Sequence, residues 1–547
     1  MNDNTLAQLC LSSSAKYKDK IAFSMFSEGE IRGQVTYTQL GTRARQISSS
    51  LRQLGVKNGG RVLLFSDNCP EWPLAYFGIA IAGAVSVPLL TGFSTEQIQF
   101  ILDHSGVSAI CLSREMSEKF DHIAESSLAN IPLLYIDSLT EENNTGAEIS
   151  ISINGIEKQL YIHAENECPD YSGQNPDDLA TIIYTSGTQG NSKGVMLSNK
   201  NIIFSAKSSF SFVSISPRDR VLSVLPLAHS YECSLGLLGA VICGASVTYL
   251  DRPPSSSVLL PALKKIRPTI MTTVPLLIEK IYYNAIAPKL KTNKLYKFPL
   301  TRPLAVWFAG RKLISALGGR IRFFGIGGAP LSPQVEKFLY NAWFPYTVGY
   351  GLTETAPLVA GNAPFKFSFG AGYIPPNGVK IRIAKHTAAA DTSEGEIQVH
   401  GPNVMMGYYN DSAKTSEVFT SDGWFRTGDL GKINKRGRLH IRGRLKALIL
   451  GPSGENIYPE EIECILGSSQ LIEESLVYSG KKGELVALVR LSEAAKTAAG
   501  VIEQTMEELR NWVNKKLSAF SRLSRIDIMY EPFEKTPTMK IKRYLYV

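Results

Sequence analysis

The chain has 547 residues, 44% of them hydrophobic and 20% charged, with 58 Lys and Arg against 49 Asp and Glu. Those proportions exclude a disordered tail, a collagen-like rod and a small disulfide scaffold, and a chain this long buries a large core without covalent staples. The net charge of +9 is a mild excess; it suits an anionic small molecule or membrane surface, and no nucleic-acid partner is expected.

At roughly 150 residues per domain the length accommodates three to four structural units. The seven cysteines include no C-x-x-C pair and are odd in number, which argues against a disulfide framework or zinc knuckle and for a reducing, cytoplasmic setting. The opening MNDNTLAQLC has no basic region followed by an apolar one, so no secretory signal is expected. Two uncharged runs, 72–95 and 233–250, invite comparison with membrane spans. Each is interrupted by glycine and carries a Gly-Ala step into a Val-containing run, Gly83-Ala84-Val85-Ser86-Val87 and Gly244-Ala245-Ser246-Val247, which reads as a buried helix feeding a buried strand.

Along the chain, short apolar runs at 61–65, 179–184, 220–225 and 321–326 alternate with helical periods, predicting an α/β fold of parallel sheets with crossover helices. Beyond about residue 390 the pattern changes to antiparallel strands at 395–400 and 438–442, the second entered through a Lys435-Arg436-Gly437 turn. From Leu448 a small α+β unit follows. Residues 447–547 carry 13 basic and 14 acidic side chains, so residues 1–446 hold a net +10.

The sharpest motif is Tyr184-Thr185-Ser186-Gly187-Thr188-Gln189-Gly190-Asn191-Ser192-Lys193-Gly194. It reads as a strand, a loop rich in Gly, Ser and Thr ending in Lys193, and then a helical pattern. Bare backbone N–H groups, hydroxyls and one cation suit a polyphosphate. It is not a Walker loop, because Ser192 stands where that motif needs Gly and Gly194 where it needs Ser or Thr. Taken by composition alone it is also an ordinary surface loop. Gly327-Gly328-Ala329 ends a strand, with Ser332 expected as N-cap and Pro333 at the first helical position. Gly349-Tyr350-Gly351-Leu352-Thr353-Glu354 sets an aromatic ring, a hydroxyl and a carboxylate on one short loop, able to stack a base, touch a phosphate and hold Mg²⁺. Phe425-Arg426-Thr427-Gly428-Asp429 adds a carboxylate suited to a ribose diol.

In order and spacing these motifs resemble the adenylate-forming superfamily, and within it the long-chain fatty acid–CoA ligases. The segments 225–232, 328–331 and 450–463 carry the closer likeness. The resemblance implies a large N-terminal domain of α/β layers plus a small β subdomain, residues 1–445, and a small mobile α+β domain, residues 446–547, hinged at Lys446. It implies ATP, Mg²⁺, coenzyme A and a fatty acid as ligands, with release of AMP and pyrophosphate. Thr185, Ser186, Gly187, Thr188, Gly190 and Lys193 are implied for the phosphates, Gly328, Ala329, Tyr350 and Gly351 for the adenine, and Thr353 for the α-phosphate. Thr185 and Glu354 are implied for Mg²⁺, and Asp429 and Arg444 for the ribose. Lys540 is implied as the adenylating lysine, His229 at the acyl site, and Gly451, Gly454 and Tyr458 for CoA.

The sequence departs from the superfamily pattern at Gln189 and Ser192, at Ala447 after the hinge, and at Met539 before Lys540, where glycine is usual. Two other readings stay open: activation of another carboxylic acid, such as an aryl or amino acid, and a catalytically dead nucleotide-binding scaffold. Amino-acid activators carry an Asp where Tyr231 stands here, with Glu232 its neighbour. Finally, residues 280–322 contain ten Lys and Arg, no Asp or Glu, and interleaved aromatics. This predicts reversible peripheral contact with anionic membrane, on its inner face for a cytoplasmic protein.

Overall fold

The computed structural model describes residues 3–138, 146–163, 174–185, 192–385, 394–450, 456–469, 471–480, 483–492, 495, 502–536 and 540–547. A seven-stranded sheet runs in the order Tyr346–Val348, Phe323–Ile326, Ile270–Thr273, Arg220–Leu222, Ser246–Leu250, Ile21–Ser27 and Glu30–Thr36, every pairing parallel except the last. A nine-stranded sheet has a parallel centre of Leu179–Thr185, Val85–Pro88, Arg61–Phe65, Ala109–Leu112 and Leu133–Tyr135, with antiparallel strands at both edges.

Helices common to both sheets fill the space between them. The helix Glu71–Ile81 is buried at nearly every position, from Trp72 to Ile81, because it meets apolar partners on all sides. This accounts for the first uncharged run, and Val85–Pro88 is the strand it feeds. The second run divides the same way: a π-helical stretch Glu232–Leu238 and the helix Gly239–Cys243 lead through Gly244, at φ +74°, into Ser246–Leu250. No described helix is long and apolar enough to cross a membrane, and the six described cysteines are unpaired.

Two expected strands are shorter than their apolar runs. Arg220–Leu222 stops three residues early and Phe323–Ile326 starts two residues late. Arg322, just before the second, turns instead to Asp219, which is buried. That carboxylate also accepts from Ser216 N at 2.8 Å and Thr269 Oγ1 at 2.8 Å. Desolvation would raise the Asp219 pKa, but the hydrogen bonds from Arg322, Thr269 and Ser216 outweigh it and hold the carboxyl below its ordinary range. The stretch after the phosphate loop is also corrected. Lys193–Ser198 is a strand, antiparallel to Leu179–Thr185 with Lys193 opposite Thr185, so the motif is a β-hairpin and no helix N-terminus follows its loop. Its side chains alternate onto two packed faces, a period-2 pattern too short to distinguish from a helical turn.

A four-stranded antiparallel sheet, Lys380–Lys385, Gly395–His400, Phe425–Ile433 and Leu439–Arg444, follows with its own small core. The C-terminal unit has a separate core around Ile462, Val477, Val489 and Val513 and a three-stranded sheet, Ile472–Ser479, Leu485–Leu491 and Arg525–Ile528. The architecture is thus a large N-terminal α/β assembly with a β subdomain and a small α+β C-terminal domain.

Asp219 links three neighbouring strands of the first sheet, and its energetics are testable. Arg322→Met is expected to lower unfolding free energy by about 2–4 kcal/mol, because one partner of a buried carboxylate is lost. Urea unfolding should show a lower midpoint at unchanged slope, and the double variant Arg322→Met/Asp219→Asn should lose less than the sum of the singles.

Candidate active site

The candidate residues converge where the parallel strands of both sheets end, the edge at which open α/β sheets bind ligands. Phe323–Ile326 ends in Gly327-Gly328, Tyr346–Val348 in Gly349-Tyr350, Leu179–Thr185 in the phosphate loop, and Arg220–Leu222 in the segment leading to His229. Gly328 has φ +87° and, with Ala329, lies exposed, leaving open surface for a flat ring. Ser332 does sit at the helix N-cap and Pro333 follows it, but its hydroxyl caps no backbone N–H; it pairs with Tyr283 Oη at 2.9 Å. Gly351 is required by proximity, since a Cβ there would lie 1.8 Å from the carbonyl oxygen of Pro357.

Two short chains of contacts organise the site. In the first, the Tyr350 hydroxyl donates to Asp429 Oδ2 at 2.6 Å, and Arg444 Nε meets Asp429 Oδ1 at 2.9 Å. Asp429 and Arg444 are cross-strand partners, so sheet register alone aligns them. Burial raises the Asp429 pKa, opposed by Arg444, Tyr350 and Lys540. Burial would lower that of Arg444, but Asp429, Tyr350, Glu354 and Glu460 outweigh it. In the second chain, Tyr408 Oη donates to Glu354 Oε1 at 3.0 Å, and Lys193 Nζ stands 4.9 Å from the Tyr408 ring centre. Tyr408 arrives there because Gly407–Tyr408 pairs with Lys193–Ser198. Glu354 and Thr185 offer hard oxygen donors of the kind Mg²⁺ takes, although among the described residues no group of three His, Cys, Asp or Glu side chains stands close enough to hold a metal ion by itself.

Lys540 reaches the same place from the C-terminal domain. Its side chain keeps solvent exposure, yet its pKa falls below the ordinary lysine range through desolvation and the neighbouring Arg444, opposed by Asp429, Glu460 and Glu354. Arg543, three residues on, is clamped to Glu463 and to the Val477 carbonyl, which fixes the tail that carries Lys540. His229 accepts from the Tyr231 N–H on Nδ1 at 3.2 Å, leaving Nε2 to carry the proton of the neutral ring. Burial and the charge of Lys540 push its pKa down to about 4. Lys446 is exposed on a 3₁₀ turn, Leu445–Ala447, directly after Arg444. The Tyr458 hydroxyl is engaged by Glu394 of the antiparallel sheet at 2.9 Å. Ser186, Gly187, Thr188, Gly190, Gly451, Gly454 and Met539 lie outside the described residues.

Sequence reading missed Tyr408 and Glu460. Tyr408 carries no motif and is recruited only by strand pairing. Glu460 sits in a quoted motif without a role, and the C-terminal domain places it among Arg444, Asp429 and Lys540. An apolar cavity opens beside the site, lined by Phe212, Val213, Ile215, Tyr231, Gly325 and Gly349 among others, with no acidic side chain in its described wall. A larger, open depression over Trp424 and Ile433 lies on the antiparallel sheet and contains none of these groups.

Glu232, the neighbour of the position where amino-acid activators carry Asp, is fully buried and bonded to Thr272 Oγ1 at 2.5 Å. Its carboxyl also packs onto Gly236, where a Cβ would come within 2.5 Å of Oε1. Burial lifts its pKa to about 7, against the hydrogen bonds from Ser223 and Thr272.

The sequence profile of the AMP-binding enzyme family matches residues 11–409, and the chain belongs to that family. Long-chain-fatty-acid–CoA ligase FadD15 of Mycobacterium bovis is 30% identical, aligned over 93% of this chain and 90% of its own. The chloroplastic long-chain-fatty-acid–[acyl-carrier-protein] ligase AEE15 of Arabidopsis thaliana is 29% identical, over 98% and 84%. Among solved structures, ATP-bound MatB from Rhodopseudomonas palustris superposes with a TM-score of 0.76 at 23% identity, covering 98% of both chains. The fold is that of the adenylate-forming enzymes.

The raised pKa of Glu232 has a definite sign. Its folded value of about 7 exceeds the free value of 4.5, so its contribution to stability is complete below the free value and is lost as pH rises through the folded one. Glu232→Gln is therefore expected to stabilise the protein at pH near 8, by roughly 2–3 kcal/mol. The advantage should shrink toward zero near pH 5, as read by thermal unfolding across that range.

Proposed function

We propose that this protein is an ATP-dependent fatty acid–CoA ligase acting through an acyl-adenylate, with a long-chain acid as substrate. The observation that supports adenylation most directly is the meeting of Tyr350, Asp429, Arg444, Glu354 and Lys540 at one edge. The long-chain acid is favoured by the likeness to FadD15, and the apolar cavity beside Gly325, Gly349 and Tyr231 is only about 50 Å³. A cavity of that size takes the first methylenes of an alkyl chain by area burial, whereas an ammonium would find no counter-charge in its wall. Glu232 is not part of the wall, and its carboxyl is held by Thr272, a wall residue, instead of facing the cavity, which weighs against an amino acid as substrate.

In the first half-reaction a carboxylate oxygen attacks the α-phosphorus of ATP, a P–O bond forms, and pyrophosphate leaves. Thr185, the following loop and Lys193 hold the phosphates, Thr353 contacts the α-phosphate, and Lys540 supplies positive charge where negative charge builds. Mg²⁺, when bound by Glu354 and Thr185, would neutralise phosphate charge. Tyr350, with Gly328 and Ala329, holds the adenine, and Asp429 with Arg444 the ribose. His229, kept neutral by its surroundings, lines the approach of the acyl carboxylate without competing for it as a cation. In the second half-reaction the CoA thiolate attacks the acyl carbon and AMP leaves. The site as described has Lys540 near Asp429 and Glu354, the arrangement suited to the first half. We place the domain boundary at Lys446, where rotation of 446–547 would withdraw Lys540 and release Tyr458 from Glu394 toward CoA.

The name of the AEE15 relative favours a second acceptor, an acyl carrier protein, which thioester assays with CoA and with carrier protein would distinguish. The proposal includes a cytoplasmic protein in reversible contact with the inner face of the membrane through residues 280–322, where fatty acids partition.

Lys540→Ala is expected to reduce fatty-acid-dependent ATP–pyrophosphate exchange by about two to three orders of magnitude while thioester formation from supplied acyl-AMP changes little. Equal loss in both assays would overturn its assignment to the first half. Lys446→Pro, which fixes φ at the turn, is expected to impair one half-reaction far more than the other. A variant normal in both would move the pivot elsewhere.

A further inference from the structure

The helix Arg302–Ala316 is divided lengthwise. Ala305, Val306, Gly310 and Leu313 are buried, with Gly310 so close to the Ala342 carbonyl that a Cβ would lie 2.4 Å from its oxygen. The opposite face presents Leu304, Trp307, Phe308, Arg311 and Lys312, spaced by three and four residues and all exposed. The face is apolar in its first half and basic in its second. The loop before it exposes Phe298 at 66% and Leu300 at 96%. That loop is held in place: Thr301 Oγ1 donates to the Leu295 carbonyl at 2.6 Å, and Arg302 Nε to the Tyr296 carbonyl at 3.1 Å. Trp343, next to Ala342, is 69% exposed and stacks on exposed Phe365 at 6.1 Å. Of the ten cations in 280–322, only Arg322 has an ion pair among the described residues; the others are exposed along the same segment, which contains no acidic residue.

We propose that Phe298, Leu300, Leu304, Trp307 and Phe308 form an apolar wedge that inserts into an anionic bilayer, while the cations around it sit at the headgroups; this rests on the reading that the protein contacts such membranes. A large exposed apolar surface costs free energy in water and is retained where another phase covers it. Trp beside a ring of Lys and Arg matches the interfacial zone of a bilayer, and the cations select anionic headgroups. A second copy of the chain is a poorer occupant, because a two-fold contact would bring each copy's cations against the other's.

The test uses the full-length protein with vesicles of phosphatidylcholine alone or mixed with phosphatidylglycerol, at low and high salt. The native protein is expected to co-sediment with the mixed vesicles, and its tryptophan emission to be quenched by lipids brominated on the acyl chain. Leu300→Ser is expected to weaken partitioning roughly tenfold, and Leu300→Ser/Trp307→Ser on the order of a hundredfold. ATP–pyrophosphate exchange with a soluble short-chain acid should be unchanged in both, which verifies folding; Leu300 is so exposed that its change alone keeps the test valid if the double variant misfolds. If Lys289, Lys291, Lys294 and Lys297 changed to Gln reduce binding while the apolar variants and quenching show nothing, the wedge is wrong and membrane contact stands. If the native protein binds no vesicles, both fall. Vesicle-independent dimerisation abolished by Leu300→Ser would assign the face to a second copy and overturn the proposal.

Discussion

A buried carboxylate, Asp429, joins the parts on which the site depends. One oxygen takes the hydroxyl of Tyr350, which follows a strand of the seven-stranded sheet, and the other takes Arg444, the last residue of the antiparallel subdomain. Arg444 in turn precedes the turn at Lys446, and its charge and that of Asp429 both act on Lys540 of the C-terminal domain. Such a carboxylate is costly to bury and is tolerated because opposite charge and a hydroxyl satisfy it. The same economy makes the cluster sensitive to movement of the C-terminal domain, since Tyr350, Asp429 and Arg444 lie before Lys446 while Glu460 and Lys540 come from beyond it.

The apolar cavity follows from a different constraint. Both sheets end their parallel strands at one edge, so glycine turns accumulate there, and Gly325 and Gly327 leave space that the Tyr231 ring occupies at van der Waals contact. The cavity beside them needs no polar lining to be stable, because its walls are the continuation of the core. Glu232 is the exception in this environment. It is retained as a buried acid close to neutrality, wedged between Thr272 and Gly236, and it tunes stability with pH without entering the cavity.

Much of the site was legible because its chemistry is written in local motifs. Glycines with special backbone needs, such as Gly328, and hydroxyl-rich turns are specified by short segments, and their order along the chain is a strong signature. The helix–glycine–strand pattern at Gly83 and Gly244 was equally local and predicted buried elements correctly. The hairpin after the phosphate loop was misread because six residues carry too little periodicity to separate strand from helix. Ser332 was placed correctly at its helix start, but its hydroxyl partner, Tyr283, is distant in sequence.

The sequence by itself determined the alternation of elements, the glycine positions, the carboxylates and lysines available for chemistry, and the concentration of cations in 280–322. Those are properties of composition and short-range spacing. Only the tertiary structure decided that Tyr408 meets Glu354, that Glu232 faces Thr272, and that Glu460 and Lys540 crowd Arg444, because these contacts depend on strand pairing and domain docking between segments far apart in the chain. It also decided which face of Arg302–Ala316 is covered: the buried and exposed sides are both largely apolar, so amphipathic pattern could not tell them apart, and only the close approach of Ala342 to Gly310 did.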